Sequence, residues 1–575
     1  MINAELSTVF RRIADLMEIR GEDRFRINSY RRVSRVIKDT ITDIAELAAD
    51  GRLTELPGVG KGTAAKIEEY VERGSIGLLD ELSSKLPAGL PDLLEVPGLG
   101  PKKVALAYHE LKVGGMQDLK RAIADGSLAG LAGMGEISVK RIAEGIAFLE
   151  SSGGRIALGQ AVILAEPLAE TVRAMPGVER VEIAGSLRRG CETIGDIDLL
   201  CIAPDGADIV GRFVKLDGVK RVLASGATKG SITIDLDSKR EVQIDLRVVE
   251  AAAFGAAWQY FTGSKQHNVR LREIAVKRGW RLNEYGVFDG EKRLAGSTEK
   301  AVYRKLGLPW IPPELREDRG EFENPAAGEK LVTIDDIRGD LHMHTVASDG
   351  KSTLDEMAAA AKALGYAYIA IADHSKSSAV AGGLSIDRMW QQIEDVRAAD
   401  GRIKGIKILV ACECDILADG RMDYPDDLLA ECDLVVASIH SAIAAGRVSV
   451  TKRTLAAIDN PYVSIIGHPT SRLINKRASS DLDIAAVAKA AADSHTALEV
   501  SAAWKRLDLK DLHARQAIDA GVMLCINTDS HHTDQLKQMP LGVTTARRAG
   551  AEPDHILNTR TIAGLQKWLG RKRSH

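Results

Sequence analysis

Three patterns predict a multidomain α/β chain: a helical front, a mixed α/β middle and a C-terminal (β/α)7 barrel. A glycine-rich turn followed by a helical pattern recurs three times within the first 150 residues. From about 155 to 250 strand-like runs carry paired aspartates. After residue 338, apolar runs alternate with amphipathic helical stretches and end in His, Asp or Glu. A chain of 575 residues has room for several cores, since a single core stops growing near about 250–300 residues.

Composition narrows the classes. The net charge is -3, so bulk charge argues neither for nor against a nucleic-acid partner. The opening "MINAELSTVFRRIADLMEIRGEDRF" is charged throughout and does not read as a secretory signal. No run approaches the roughly 18 apolar residues of a spanning helix. Cys191, Cys201, Cys412, Cys414, Cys432 and Cys525 lie scattered, mostly inside strand-like runs, and read as buried reduced thiols. The expectation is a cytoplasmic monomer with no membrane partner. Cys412 and Cys414 form a C-x-C pair that would face away from Glu413 on a strand; core packing is the preferred reading over metal ligation.

In the front, "LPGVG" (56–60), "VPGLG" (96–100) and "LAGMG" (131–135) precede "KGTAAKIEEYV", "PKKVALAYHEL" and "EISVKRIAEGI". This is the turn of a helix-hairpin-helix. Its glycines allow positive φ and close approach to a phosphate, and the next helix offers free N–H groups to an anion. Such a turn grips DNA backbone without reading sequence. Gly58, Gly60, Gly98 and Gly100 are the expected contacts; the third copy, without proline, stays open. Lys66 in the first repeat reads as a solvated helix lysine or as a Schiff-base nucleophile, which would need a lowered pKa.

In the middle, "IAGSLRRGCETIGDIDLLCIA" (183–203) puts Asp196 and Asp198 two apart on a strand, facing the same way. Asp245 in "VQIDLRVV" sits on a later strand that can lie alongside. Three carboxylates on one face need divalent cations, and two such ions could activate a sugar hydroxyl and clamp a triphosphate. Gly185, Ser186 and Arg189 supply a backbone N–H, a hydroxyl and a guanidinium for phosphate oxygens.

The back holds 11 of the 13 histidines, all but His109 and His267. His342 and His344 share a strand face, Asp349 follows, and His374, Glu413, His440, His468, Asp529 and His531 each close an apolar run. Any one of these alone reads as a core residue. Nine together read as a multinuclear site for a borderline metal such as Zn²⁺ or Mn²⁺, at the barrel end where barrel enzymes do chemistry.

Two resemblances follow. "GS-LRRG-(x)5-DID" with the later "IDLRV" resembles the nucleotidyltransferase palm of family X DNA polymerases, the group of DNA polymerase beta. "YFTGSKQHNVRLREIAVKRGWRLNEYGVF" (260–288) is similar to that family's nucleotide-binding and thumb segment. The resemblance implies that Asp196 and Asp198 bind two Mg²⁺ or Mn²⁺ ions and that Asp245 helps activate the primer 3′-hydroxyl. Ser186 and Arg189 would hold the triphosphate; Tyr260, Phe261 and Gly263 would abut the sugar. Asn268 would touch the base edge, Arg272 the template. Lys66 falls where the family has its lyase lysine and Tyr30 near a 5′-phosphate pocket, although the position four before Lys66 is Gly62, not a second lysine. The nine-residue set resembles the PHP (polymerase and histidinol phosphatase) superfamily, which implies about three Mn²⁺ or Zn²⁺ ions.

The fusion implies a repair polymerase of bacteria or archaea that fills short gaps in gapped or nicked double-stranded DNA from dNTPs. It also implies a PHP-domain 3′→5′ exonuclease, with 3′-phosphatase and abasic-site endonuclease activities plausible in the same cluster. The boundaries expected are 1–90 lyase-like, 91–150 fingers, 151–260 palm, 261–316 thumb, 317–337 linker and 338–575 PHP. The proline- and charge-rich stretch 309–330 reads as linker and permits motion. "SRLINKR" (471–477) reads as a phosphate grip or a solvated loop. Two rivals stand beside this: a small-molecule phosphatase fused to a nucleotidyltransferase, and a non-catalytic DNA-end platform.

Overall fold

The computed structural model describes residues 2–573 apart from 41–43, 95, 97, 152–153, 238–239 and 325–327. Pro97 of the second repeat and residues 325–327 of the expected linker therefore lie outside the described residues. The chain divides into two compact units, Met1–Gly153 with Asn475–Arg477, and the remainder.

The first unit is helical. Along helix Asn3–Ile19 the buried residues Leu6, Phe10, Ile13 and Met17 recur at threes and fours and form one stripe. Asp23 starts helix Arg24–Asp39 by accepting from the backbone N–H of Phe25 and Arg26, which satisfies two orphan donors. The three repeats share one geometry. Gly58, Gly98 and Gly133 sit at φ +82°, +85° and +75°, a region that favours glycine. Gly60 and Gly100 then begin helices Lys61–Arg73 and Pro101–Leu111.

The second unit holds a five-stranded palm sheet, a thumb and the barrel. The palm strands run in the order Arg180–Ile183, Asp196–Ile202, Glu241–Val249, Lys229–Asp235, Val219–Ser225. Asp196–Ile202 and Glu241–Val249 pair in parallel, and the other pairings are antiparallel. The edge strand Val219–Ser225 is largely exposed, so it lacks the apolar alternation that marks its neighbours. The thumb packs helices Lys265–Val276 and Glu299–Lys305 through Leu271, Ala275, Val302 and Tyr303.

The start of the 309–330 stretch, which reads as linker on composition, is packed against the thumb. Ile311, Pro313 and Arg316 are buried. Arg316 donates to Glu299 at 2.7 Å and lies over the Tyr303 ring. Its charge composition reads as solvated, yet the charge is paired and packed.

Seven parallel strands build the barrel in sequence order: Gly339–Met343, Tyr368–Ile371, Lys407–Asp415, Leu434–Ser438, Val463–Ile466, Ala497–Ser501 and Leu524–Asn527. The last strand returns to the first, where Met343 bridges Ser530 and the His344 N–H donates to the Ser530 carbonyl at 2.8 Å. These strands are buried on both faces, which is why they read as continuous apolar runs. Cys412, Cys414 and Cys432 are part of the barrel core.

Candidate functional site

Strand register assembles the palm acids. Asp198 lies directly beside Asp245 across the parallel pair, and Asp196 sits two residues before Asp198 on the same face. The turn before them fits tightly. Gly185 has φ +64°, and a Cβ there would fall 2.2 Å from an Asp198 carboxylate oxygen. Burial, then the Asp196 and Asp245 charges, pushes the Asp198 carboxyl up to about 7. Burial also acts to raise Asp245, but Ser231 at 2.6 Å, Lys229 at 2.9 Å and Gln243 at 2.9 Å outweigh it and hold it below the usual range. Two like charges holding a proton between them is what a divalent cation relieves, so the donor set fits Mg²⁺ or Mn²⁺.

Several of the other expected nucleotide residues meet at the palm–thumb joint. Arg189 donates from Nε to Glu317 at 3.0 Å and from Nη1 to the Thr262 carbonyl. Gly263 turns there at φ +72°. Tyr260 and Phe261 meet edge to face at 5.2 Å. The Asn268 side chain donates to the Tyr260 carbonyl at 2.8 Å, fixing that loop. Arg272 is exposed on helix Lys265–Val276. Sequence reasoning missed Arg188, which pairs with Glu299 at 2.7 and 2.8 Å and lies over the Trp258 ring at 3.4 Å. Its partner stands 111 residues away.

The barrel gathers all nine expected ligands at one end. Three groups have donor atoms close enough to share an ion: His344, Asp349, His374 and His531; His342, His344 and Asp529; His374, Glu413 and His440. His468 adjoins them, its Nε2 2.9 Å from Glu413. His342, His344, Glu413 and His468 are buried. The electrostatics are those of imidazoles and carboxylates crowded together in a buried place. Against the cost of burial, Glu413 and Asp415 raise His440 to about 10, and Asp349 and Asp529 raise His531 to about 9. Burial, then His531 and His374, lowers His344 to about 3. Among the described residues, His342 Nε2, His344 Nδ1 and Glu413 Oε2 are buried without a hydrogen-bond partner. Buried orphan donors and acceptors are rare unless something else satisfies them, so this set fits metal ions.

A further ring of buried carboxylates holds the ligands in place. Glu499 accepts from His342 at 2.8 Å and from the His468 N–H at 2.6 Å. Asp415 pairs with His440 at 2.5 Å and accepts from Ser377 at 2.7 Å. Asp373 accepts from Thr345 and Ser348 within the loop between His344 and Asp349. Asp340 holds Thr528 beside Asp529, and Asp508 holds Thr470 beyond His468. Such partners fix imidazole orientation and raise ligand basicity. The signal for Asp415 was its spacing two after Glu413; that for Glu499 was its place in the run "ALEVSA". Arg506 lies 3.3 Å from Asp529 and keeps a buried Nη1 without a partner among the described residues.

In the helical unit, a Cβ added at Gly60 or Gly100 would meet nothing within 4 Å, and Gly58 packs against Arg32. Tyr30 stacks on Phe10 at 5.8 Å, and burial raises its hydroxyl. Lys66 donates to the Gly62 carbonyl at 3.1 Å near the surface, the geometry of an ordinary helix lysine. The "SRLINKR" stretch departs from the phosphate-grip expectation at Arg472. That residue is buried and committed to Glu192 at 2.6 Å and to the Arg506 and Leu507 carbonyls.

Comparisons with known proteins meet this geometry. A helix-hairpin-helix domain matches residues 1–76, and a SAM-like helix-hairpin-helix tandem matches 90–147. A DNA polymerase beta thumb matches 257–317, and a PHP domain matches 340–503. The chain is 38% identical over 562 residues to the DNA polymerase/3′-5′ exonuclease PolX of Bacillus subtilis, covering 97% of this chain and 98% of that one. The chain belongs to the PolX family. Its PolX halves also have separate relatives. DNA polymerase lambda of Rattus norvegicus is 30% identical over 295 residues, 46% of this chain and 48% of that one. A probable phosphatase of Thermoanaerobacter is 28% identical over 245 residues, 41% of this chain and 95% of that one. The third glycine turn, left open on sequence, lies within the matched tandem of this PolX chain. No described helix is long and apolar enough to cross a membrane.

Proposed function

We propose that the chain fills short gaps in DNA by templated nucleotidyl transfer at the palm and trims DNA 3′ ends, as a 3′→5′ exonuclease, at the barrel. The observation that carries this is the pairing of two complete acid sets in one chain: Asp198 in register with Asp245, and nine ligands at one barrel end. Asp196 and Asp198 would hold two Mg²⁺ or Mn²⁺ ions and Asp245 one of them. The barrel set would hold about three Mn²⁺ or Zn²⁺ ions. When bound, these cations supply charge neutralisation at phosphate and a lowered pKa for a hydroxyl or water.

The chain's own residues do the rest. Ser186, the Gly185 backbone and Arg189 orient a dNTP triphosphate, Tyr260 and Phe261 bound the sugar, Asn268 borders the base edge and Arg272 the template. In the barrel, Arg506 offers its unpartnered Nη1 to a phosphate oxygen beside Asp529. Gly58, Gly60, Gly98 and Gly100 present helix N-termini to the backbone of gapped or nicked duplex, which supplies this cytoplasmic enzyme's DNA grip. The similarity to a probable phosphatase supports 3′-phosphate removal as a second reaction in the same cluster. Lys66 carries no lyase step in this reading.

The test is a 5′-labelled gapped duplex with Mn²⁺. Extension with nucleotides disappears in Asp245→Ala and shortening without nucleotides disappears in His344→Ala. Variants that behave like the parent would show both assignments wrong. A parent that neither extends nor shortens would favour the DNA-end platform.

A further inference from the structure

We propose that Arg548, a residue of the barrel, is a positioning residue for nucleotide binding in the palm. This rests on the reading of Arg189 as a triphosphate ligand.

The last turn of helix Met539–Arg548 projects Arg548 into the palm–thumb joint. Its Nη1 donates to the Arg189 carbonyl at 2.7 Å and to Glu317 at 3.0 Å. The same Glu317 carboxylate oxygen accepts from Arg189 Nε at 3.0 Å. On its other side Arg548 is anchored by Asp511, at 3.1 Å from Nε and 2.9 Å from Nη2, and Asp511 also takes Arg319 at 3.0 Å. Signs therefore alternate along one line that runs from the joint out to the surface: Arg189, Glu317, Arg548, Asp511, Arg319. A second observation shows that the barrel helix is seated on the nucleotide-binding turn itself. Gly190 closes the "GSLRRG" turn at φ +65°, and a Cβ there would fall 2.1 Å from the Thr544 methyl.

The physical consequence concerns charge as much as position. Glu317 sits between two guanidinium groups and shares its negative charge between them. Its carboxyl is held below the usual range: burial opposes this, but Arg189 and Arg548 outweigh it. Remove Arg548 and more of that charge falls on Arg189, with the Cys191 thiol at 3.6 Å as the other remaining donor. The Arg189 guanidinium then binds Glu317 more tightly and an incoming triphosphate less well, because a buried charge pair is strengthened when its competitor leaves. The barrel thus sets how free the palm's phosphate-binding arginine is.

The experiment measures steady-state extension of a gapped duplex and, on the same preparations, shortening without nucleotides. In Arg548→Ala the KM for dNTP rises about tenfold, as a small misplacement of a binding group would produce, with a smaller change in kcat. Shortening is unaffected, since the hydrogen-bond partners of Arg548 are Arg189, Glu317 and Asp511 and none of the nine ligands. Adding Glu317→Gln to Arg548→Ala returns the KM toward the parent value, because the uncompensated carboxylate is gone; loss of packing alone would not be rescued in this way. Arg189→Ala serves as the reference. If it leaves the KM unchanged, the reading of Arg189 itself fails. If it raises the KM while Arg548→Ala leaves it at the parent value, or if Glu317→Gln gives no rescue, the role of Arg548 is overturned. Should Arg548→Ala fold poorly, Arg548→Gln takes its place and is judged by the same two criteria.

Discussion

The palm and the barrel solve the problem of holding cations beside phosphate in opposite ways. The palm offers three carboxylates, of which Asp196 is exposed and Asp198 half-buried, with Lys229 already paired to Asp245. Carboxylates this few leave coordination positions to be completed by substrate oxygens, the usual manner of Mg²⁺ with nucleotides. The barrel offers five imidazoles and three acids in its three metal-sized groups, plus His468 and the braces behind them. Such a set can hold ions before any substrate arrives. The lesson is that one chain can keep a hard, open site and a softer, enclosed site apart by ligand type alone.

The sharpest way to break this comparison is a crossed pair of variants. Asp198→Asn should lower extension about a thousandfold and spare shortening; Glu413→Gln should do the reverse, at the upper end of what losing one charged active-site group costs. Rates on one labelled gapped duplex decide it, and a shared defect would mean the sites are not independent.

Acid separates the regions next. Glu299 is drawn down to about 2; burial opposes this, and Arg316 and Arg188 prevail. A depressed carboxylate stabilises the fold fully above its ordinary value of about 4.5 and loses that contribution as pH falls toward about 2, worth about 3 kcal/mol in all. With His440 raised to about 10 and His531 to about 9, protons already compete with metal for these two imidazoles near neutral pH. Shortening should therefore fail first on acidification and the palm–thumb joint open later. Unfolding followed by circular dichroism from pH 7 to pH 2.5 should show the late loss in the parent and not in Glu299→Gln.

Removing metal should be felt unequally. A chelator is expected to lower the thermal midpoint of the barrel, since ligand at about a hundred times its Kd stabilises by about 2.7 kcal/mol. Ions in the palm should already be lost on desalting. Elemental analysis before and after, with calorimetry, checks both halves of that statement. The smallest expected effect is that of Glu499→Gln, which removes the brace from His342 and the His468 backbone. Barrel metal affinity should fall about 10- to 100-fold with extension unchanged.

Most of the nine barrel ligands were legible because they close apolar runs, and a polar group ending a buried strand has few structural reasons to be there. Asp196, Asp198 and Asp245 were legible because strand alternation fixes which way each faces. The braces were not. Asp340 and Asp373 stand beside His342 and His374 in sequence, but the Thr and Ser hydroxyls and backbone N–H groups they hold lie on other loops, and nothing in its own neighbourhood marks Asp508. Arg472 looked like a surface cation because its partner Glu192 lies 280 residues earlier. The start of the 309–330 stretch misled for the same reason: proline and charge describe a solvated linker only when the charges are unpaired, and Arg316 finds Glu299. Composition carries no information about pairing at a distance.

One packing detail bears on how such a protein can be cut, copied or inherited. Leu507 of the barrel is fully buried within the palm's own apolar cluster, with Ile474 and Leu541 against it, and Gly159 of the palm leaves no room for a side chain beside Trp504. A polymerase fragment ending at residue 316 would expose the floor of its own core, and a barrel fragment beginning at 338 would carry a stray apolar plug. The border between the two activities is thus not a border between two separable parts. Recombination that exchanged one half for a distant relative's would have to bring the matching plug and socket with it.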